Sequence, residues 1–194
     1  MIMAEVIDTI TEIIKRRRSI FPISYTDEEV PKEVIQQLLE NANYAPTHKL
    51  TEPWRFIVFR AAAKKRLGQE LARIYKINTP TALFLQKKHD SITDKIDKAS
   101  CVIVLNAQLH PDKIPEWEEI SSLGCAVQNM ALTAEALNVG AYWSSPDLIV
   151  GLSDFLKLSV NEKCFGLFYL GYHKEEPRPA IRTPIATKVK WMEE

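Results

Sequence analysis

Arg16-Arg17-Arg18-Ser19 is the first run of residues equipped for chemistry. Guanidinium forks match phosphate oxygens two bonds at a time, and a serine hydroxyl adds a further donor. The run also closes a stretch of helical periodicity, where basic residues complement the negative end of the helix dipole. Residue chemistry alone leaves both readings open. The second candidate is the proline-bounded loop from Ala45-Pro46 through Thr47-His48-Lys49-Leu50-Thr51-Glu52 to Pro53. Loops on rigid supports are where ligand contacts concentrate, and His48 and Lys49 could face a polar ring edge or an anionic cofactor; a solvated loop is the alternative. The third is the turn Asn138-Val139-Gly140-Ala141-Tyr142-Trp143-Ser144-Ser145-Pro146, which offers backbone amides and two hydroxyls. The fourth lies in the C-terminal tail, where Arg178 or Arg182 could fold back onto a phosphate.

Other chemistries find less support. His48, His89, His110 and His173 show no ligand spacing with cysteines or carboxylates, so no metal site is expected. Cys101, Cys125 and Cys164 are odd in number, far apart and each in an apolar stretch, which argues against a disulfide framework. Lys plus Arg and Asp plus Glu both total 25, so no global field draws in a nucleic acid. With six glycines the chain has neither GxGxxG nor GxxxxGK[ST]. The N-terminus carries Glu5 and Asp8 and no basic leader, and no apolar run approaches membrane-spanning length. A cytoplasmic protein with no membrane partner is the expectation.

The elements that must hold these residues follow from periodicity. Val6, Ile7, Ile10, Ile13 and Ile14 predict an amphipathic helix over about 4–15. Pro31 in a first turn, with Val34, Ile35, Leu38, Leu39 and Ala42, predicts a second helix ended by Pro46. Trp54 to Phe59 reads as a strand with little solvent exposure, in which Trp54 and Phe56 are core residues. A helix over about 61–77 follows, and residues 78–99 have only weak periodicity. Cys101 to Leu105 is a continuous apolar run, predicting a central strand covered on both faces. Trp117, Ile120, Leu123, Val127, Met130, Ala134 and Leu137 predict a long, largely buried helix, with Gly140 where a left-handed C-cap is expected. A short strand at 141–144, a broken helix over 147–158 and a core strand at 166–171 complete the pattern. Pro177, Pro179 and Pro184 then make residues 173–194 an extended arm, for which a partner subunit is one destination.

Taken in order, these stretches resemble the nitroreductase family of FMN-dependent oxidoreductases over nearly the whole chain. The marks are a helix ending in Arg17-Arg18-Ser19, an Ala45-Pro46 loop leading to Pro53-Trp54-Arg55-Phe56, a buried helix entering a G-x-x-W turn, and Arg182-Thr183-Pro184 in the tail. The APxHK loop and Gly124-Cys125-Ala126-Val127 resemble most the compact YdjA-like members.

The resemblance implies one α+β domain over 1–194 with a mixed, mainly antiparallel sheet surrounded by helices. It also implies a homodimer with FMN at its interface, the arm packing on the neighbouring subunit, and NADPH or NADH as reductant. Arg17, Arg18 and Ser19 would hold the phosphate and ribityl end, with Arg182 as a further contact. Tyr44 and His48 from the other chain would border the flavin, and Trp143, Ser144 and Ser145 would line the pocket. Two departures bear on this. Leu50 and Glu52 stand where many members carry Asn and Gln, and Phe21 where many carry lysine, so Lys49 or His48 is the expected donor near flavin N1 and O2. The implied activity is ping-pong hydride transfer to a nitroarene, quinone or related electrophile, with water able to supply the proton and no catalytic side chain assigned. The alternative is a flavin-binding or regulatory protein of the same fold that does not turn over.

Overall fold

In the computed structural model, residues 2–193 are described, so Met1 and the last residue of the arm, Glu194, lie outside the described residues. Ile2–Arg16 form α1, an amphipathic helix as the periodicity predicts. Its stripe nevertheless stays open to solvent in the single chain, with Val6, Ile7, Ile10 and Ile14 between 49% and 58% exposed. Lys32–Ala42 form α2, which starts behind Pro31 and buries Ile35, Leu38 and Ala42. Then come β1 (Trp54–Arg60), α3 (Ala62–Asn78), α4 (Gln86–Lys98), β2 (Cys101–Gln108), α5 (Glu116–Ala136), β3 (Gly140–Ser144), the single turn α6 (Ser153–Leu156) and β4 (Glu162–Gly171).

The four strands form one sheet in the order β1-β2-β4-β3, with all three pairings antiparallel. β2 lies inside it, and every residue from Cys101 to Ala107 is buried. Because strand side chains alternate, Ile103 and Leu105 meet Leu38 of α2 and Met130 of α5 on one face. Val102 and Val104 meet Leu71 and Ile74 of α3 and Ile96 of α4 on the other. The apolar run thus marks a strand covered on both faces, and the sheet lies between two layers of helix.

Four expectations need correction. β1 is an edge strand, so Arg55 is exposed and Val58 partly so, although Trp54 is buried as expected. α5 buries Leu123, Ala126, Val127, Met130 and Ala134 along one side, but Trp117 and Ile120 at its start stay exposed. The left-handed residue after α5 is Asn138, at φ 55°, and not Gly140. Val139 N–H reaches back to Ala134 O and Asn138 N–H to Glu135 O, which satisfies the last carbonyls of the helix. Gly140 is instead required by crowding: a Cβ there would lie 2.8 Å from the His173 ring and 2.9 Å from Gly171 O. Finally, Cys125 is exposed on α5, whereas Cys101 is buried and Cys164 partly so.

Candidate functional site

Arg17 N–H bonds Ile13 O and closes α1, and three residues further on Ile20 N–H bonds Ala141 O at 3.0 Å. That bond lays the chain along the free edge of β3 and brings Arg17-Arg18-Ser19 beside the strand that carries Trp143 and Ser144. Phe21 packs on Tyr142 with ring centroids 4.5 Å apart. The root of the arm joins the same place. Arg18 donates from Nε to Arg178 O at 3.0 Å and from Nη1 to Lys15 O and Arg17 O, while Arg178 Nη2 donates to Ser19 O at 3.0 Å. Arg16 is paired with Glu135 at the end of α5 at 2.9 Å. The Arg17 guanidinium takes part in none of these bonds, and Ser19 is exposed. Among the described residues neither the half-buried Arg17 guanidinium nor the exposed Ser19 hydroxyl, two residues on, makes a side-chain bond, and together they are a donor set suited to a phosphate monoester.

Trp143 is fixed by an irregularity in β4. Leu105 pairs with Gly166 but Asn106 with Cys164, so Phe165 is the extra residue of a bulge, and its carbonyl accepts Trp143 Nε1–H at 3.2 Å. Bulges re-aim side chains beside functional sites. Gly166 makes room for this one, because an ideal Cβ there would lie 2.2 Å from Trp143 Nε1. The indole is 39% exposed, and Ser145 beyond it is exposed.

Residues 46–52 form a second centre at the other end of α5. Tyr44, 86% exposed, lies apart from it, beside Asn129 and Thr133 of the same helix. His48 Nδ1 lies 2.5 Å from Glu118 Oε2 in the first turn of α5, and Lys49 Nζ donates to Lys113 O at 3.0 Å. Lys49, Leu50 and Glu52 all have positive φ, at 49°, 50° and 40°. Such geometry costs roughly 1 kcal/mol or more per residue and persists only where surroundings enforce it. Here Glu52 N–H bonds Thr47 Oγ1 at 3.0 Å, and the His48 and Lys49 contacts fix the turn from outside. Behind it, buried Glu119 accepts from His110 N–H at 2.7 Å and pairs with the His110 ring at 2.8 Å. Burial pushes the Glu119 carboxyl up, but these bonds and the Thr51 hydroxyl outweigh it and leave the group below its ordinary value.

Most of the predicted residues fall into two groups. Arg17, Arg18 and Ser19 meet the strand of Trp143 and Ser144, whereas His48 and Lys49 gather at the start of α5; Tyr44 lies with neither, beside Asn129 and Thr133 farther along the helix. Glu135 and Glu118, which anchor the two groups, are about 25 Å apart at the helical rise of 1.5 Å per residue. Arg182 joins neither group, since Nη1 bonds only its own neighbour's carbonyl, Ile181 O.

The family model of the nitroreductase family matches residues 14–172. The chain belongs to the nitroreductase family. It is an oxidoreductase of that family, with similarity along nearly its full length. YdjA of Escherichia coli K12, assigned by name to the NAD(P)H nitroreductases, is 28% identical over 180 residues, covering 91% of this chain and 94% of that protein. The crystal structure of a nitroreductase-like protein from Bacillus cereus superposes with a TM-score of 0.83 at 26% identity, covering 95% of this chain and 96% of the other. A Desulfovibrio desulfuricans nitroreductase-family structure in complex with FMN gives 0.71 at 26% identity and the same coverage. Against this family frame, sequence reasoning missed Glu118, hidden in a helix read as apolar, and the bulge at Phe165. The one available sign of the bulge was Gly166 inside an apolar strand.

Proposed function

We propose that two copies of this chain form a homodimer that holds FMN in two shared sites. The dimer takes hydride from NADH or NADPH and passes it to a nitroaromatic, quinone or related electrophile in a ping-pong cycle. The observation that carries this reading is the separation of the two residue groups along α5. One chain cannot bring both to one ligand, whereas a second copy placed against α5 can supply the missing group. Exposed apolar residues favour such a copy: the α1 stripe, and Ile181, Ile185 and Trp191 of the arm, which are 72% to 92% exposed. Large apolar side chains left open along a helix stripe and an extended arm are the kind of surface that an interface covers. The chain acts as one domain whose arm crosses to the partner, and it works in the cytoplasm. Among the described residues, no helix is long and apolar enough to cross a membrane.

FMN, when bound, supplies the hydride-accepting and hydride-donating chemistry. Arg17, Arg18 and Ser19 hold its phosphate and ribityl end, and Arg182 adds a contact once the arm is docked. Trp143, Ser144 and Ser145 wall the pocket, with the indole held by Phe165 O. Tyr44, His48 and Lys49 of the second subunit border the ring. No side chain is assigned as an acid, and water supplies the proton. The test is Arg17→Ala. A charge-assisted phosphate contact contributes about 1.5–3 kcal/mol, so the variant should stay folded and dimeric while its FMN dissociation constant rises roughly tenfold to a hundredfold. Undiminished affinity would remove the phosphate assignment, and a flavin-loaded monomer in sedimentation would remove the shared site.

A further inference from the structure

We propose that the groove between residues 46–48 and the first turns of α5 binds the electron acceptor. In it Trp117 is the surface on which a flat electrophile stacks, and Glu118 selects uncharged acceptors over anionic ones. The proposal deepens the flavin reading and rests on it, because the same loop carries His48 toward both ligands.

The groove has a volume of about 550 Å³ and is lined by Pro46, Thr47, His48, Trp117, Glu118 and Cys125, among others. That volume lies within the roughly 300–1,000 Å³ usual for small-molecule sites. Trp117 is 66% exposed and belongs to neither buried cluster. An indole on one wall gives an aromatic ring a stacking partner, a contact of about 0.5–1.5 kcal/mol beyond the area it covers. The opposite wall is held in place, since His48 is tied to Glu118, Lys49 to Lys113 O and Glu52 N–H to Thr47 Oγ1.

Charge decides which flat molecules fit. The start of α5 carries three carboxylates, and two are turned to other partners: Glu116 to Lys163 at 2.8 Å and Glu119 inward to His110. The third, Glu118, lines the groove with only His48 beside it. Lys49, the nearest cation on the loop, has its ammonium drawn off to Lys113 O. The remaining titratable group on the wall is the Cys125 thiol. The lining therefore presents a carboxylate balanced at most by one imidazole, and no surplus positive charge to receive an acidic substituent. A like charge a few ångströms from Glu118 is repelled by an amount sufficient for about a tenfold preference even with strong solvent screening.

The test compares 4-nitrobenzamide with 4-nitrobenzoate, which share a ring and differ in charge. Each is titrated into the oxidised holoenzyme without reductant, and equilibrium binding is followed by the change in flavin absorbance. The wild type should bind the amide about tenfold more tightly. Trp117→Ala should weaken both ligands alike, by up to about tenfold. Glu118→Gln should shift the amide-to-benzoate ratio about tenfold toward the benzoate, since deleting a carboxylate makes the groove less negative whatever the protonation of His48. Equal wild-type affinities, a Glu118→Gln variant with an unchanged ratio, or a Trp117→Ala variant with unchanged constants would each overturn the proposal. A colourless protein that takes up no flavin would sink the flavin reading instead. The same two titrations by calorimetry would then decide the groove.

Discussion

Gly166→Ala is the perturbation that most sharply tests how the candidate pocket is built. The new methyl would lie 2.2 Å from Trp143 Nε1, 2.7 Å from Trp143 Cδ1 and 2.9 Å from Ser144 O, at a backbone φ of 154°. None of these distances is tolerable, so the indole must swing away from Phe165 O or the bulge must open. The first response loses one hydrogen bond, about 1 kcal/mol, and a strained backbone adds about 1–2 kcal/mol. The expected loss is therefore about 2–3 kcal/mol, which for a chain of this length lowers the melting temperature by roughly 5–10 °C. Urea and thermal unfolding should be compared at one protein concentration, because assembly contributes to apparent stability. Combining Gly166→Ala with Trp143→Ala removes the clash with the ring but not the one with Ser144 O. The double variant should thus be less destabilised than the sum of the two single ones by about 1 kcal/mol. A Gly166→Ala protein as stable as wild type, or strictly additive effects, would refute the reasoning.

Glu119→Gln should change the acid limb of stability. The Glu119 carboxyl is depressed below its ordinary 4.5 in the folded chain, against burial and because of the His110 and Thr51 contacts. Its contribution is present above the unfolded value and is lost as pH falls through the folded one. Urea midpoints should therefore show the variant weaker at pH 7 and the gap closing below about pH 4.5; a gap independent of pH would contradict this. The thiols give a third check. Burial pushes Cys101 up to about 12 and Cys164 up to about 11, whereas Cys125 is exposed. A disulfide reagent at pH 8 should titrate no more than one thiol in the native protein and three after denaturation; a second fast native thiol would show that Cys101 or the partly buried Cys164 is reached.

Where burial is periodic, the sequence was legible. β2, α2 and the buried side of α5 follow from apolar residues spaced for one face or for two. α4 was not, because Gln86–Lys98 is mostly polar and buries only Ile96 fully, so its helix shows in packing and not in pattern. Composition does not tell how many neighbours a strand has, so β1 read as covered although it lies at the edge. Glycine is the usual left-handed residue and points to Gly140 as the cap of α5, but Asn138 adopts that geometry two residues earlier. Within the site, the chemistry-bearing runs were visible as residue types, but their grouping was not. Nothing in the spacing of Ser19 and His48 says that they belong to opposite ends of one helix. The proline-rich arm has no period from which to tell that Arg178, and not Arg182, meets Ser19. Glu118 needed the three-dimensional turn at 49–52 to bring His48 onto it.

The central claim is that this chain carries FMN and exchanges hydride through it, and one absorbance measurement reaches it directly. The purified protein should be yellow, bleach when NADPH or NADH is added without oxygen, and recover its colour when a nitroarene or quinone follows. A protein that neither holds nor takes up FMN would contradict the account, as would a retained flavin that neither nucleotide bleaches.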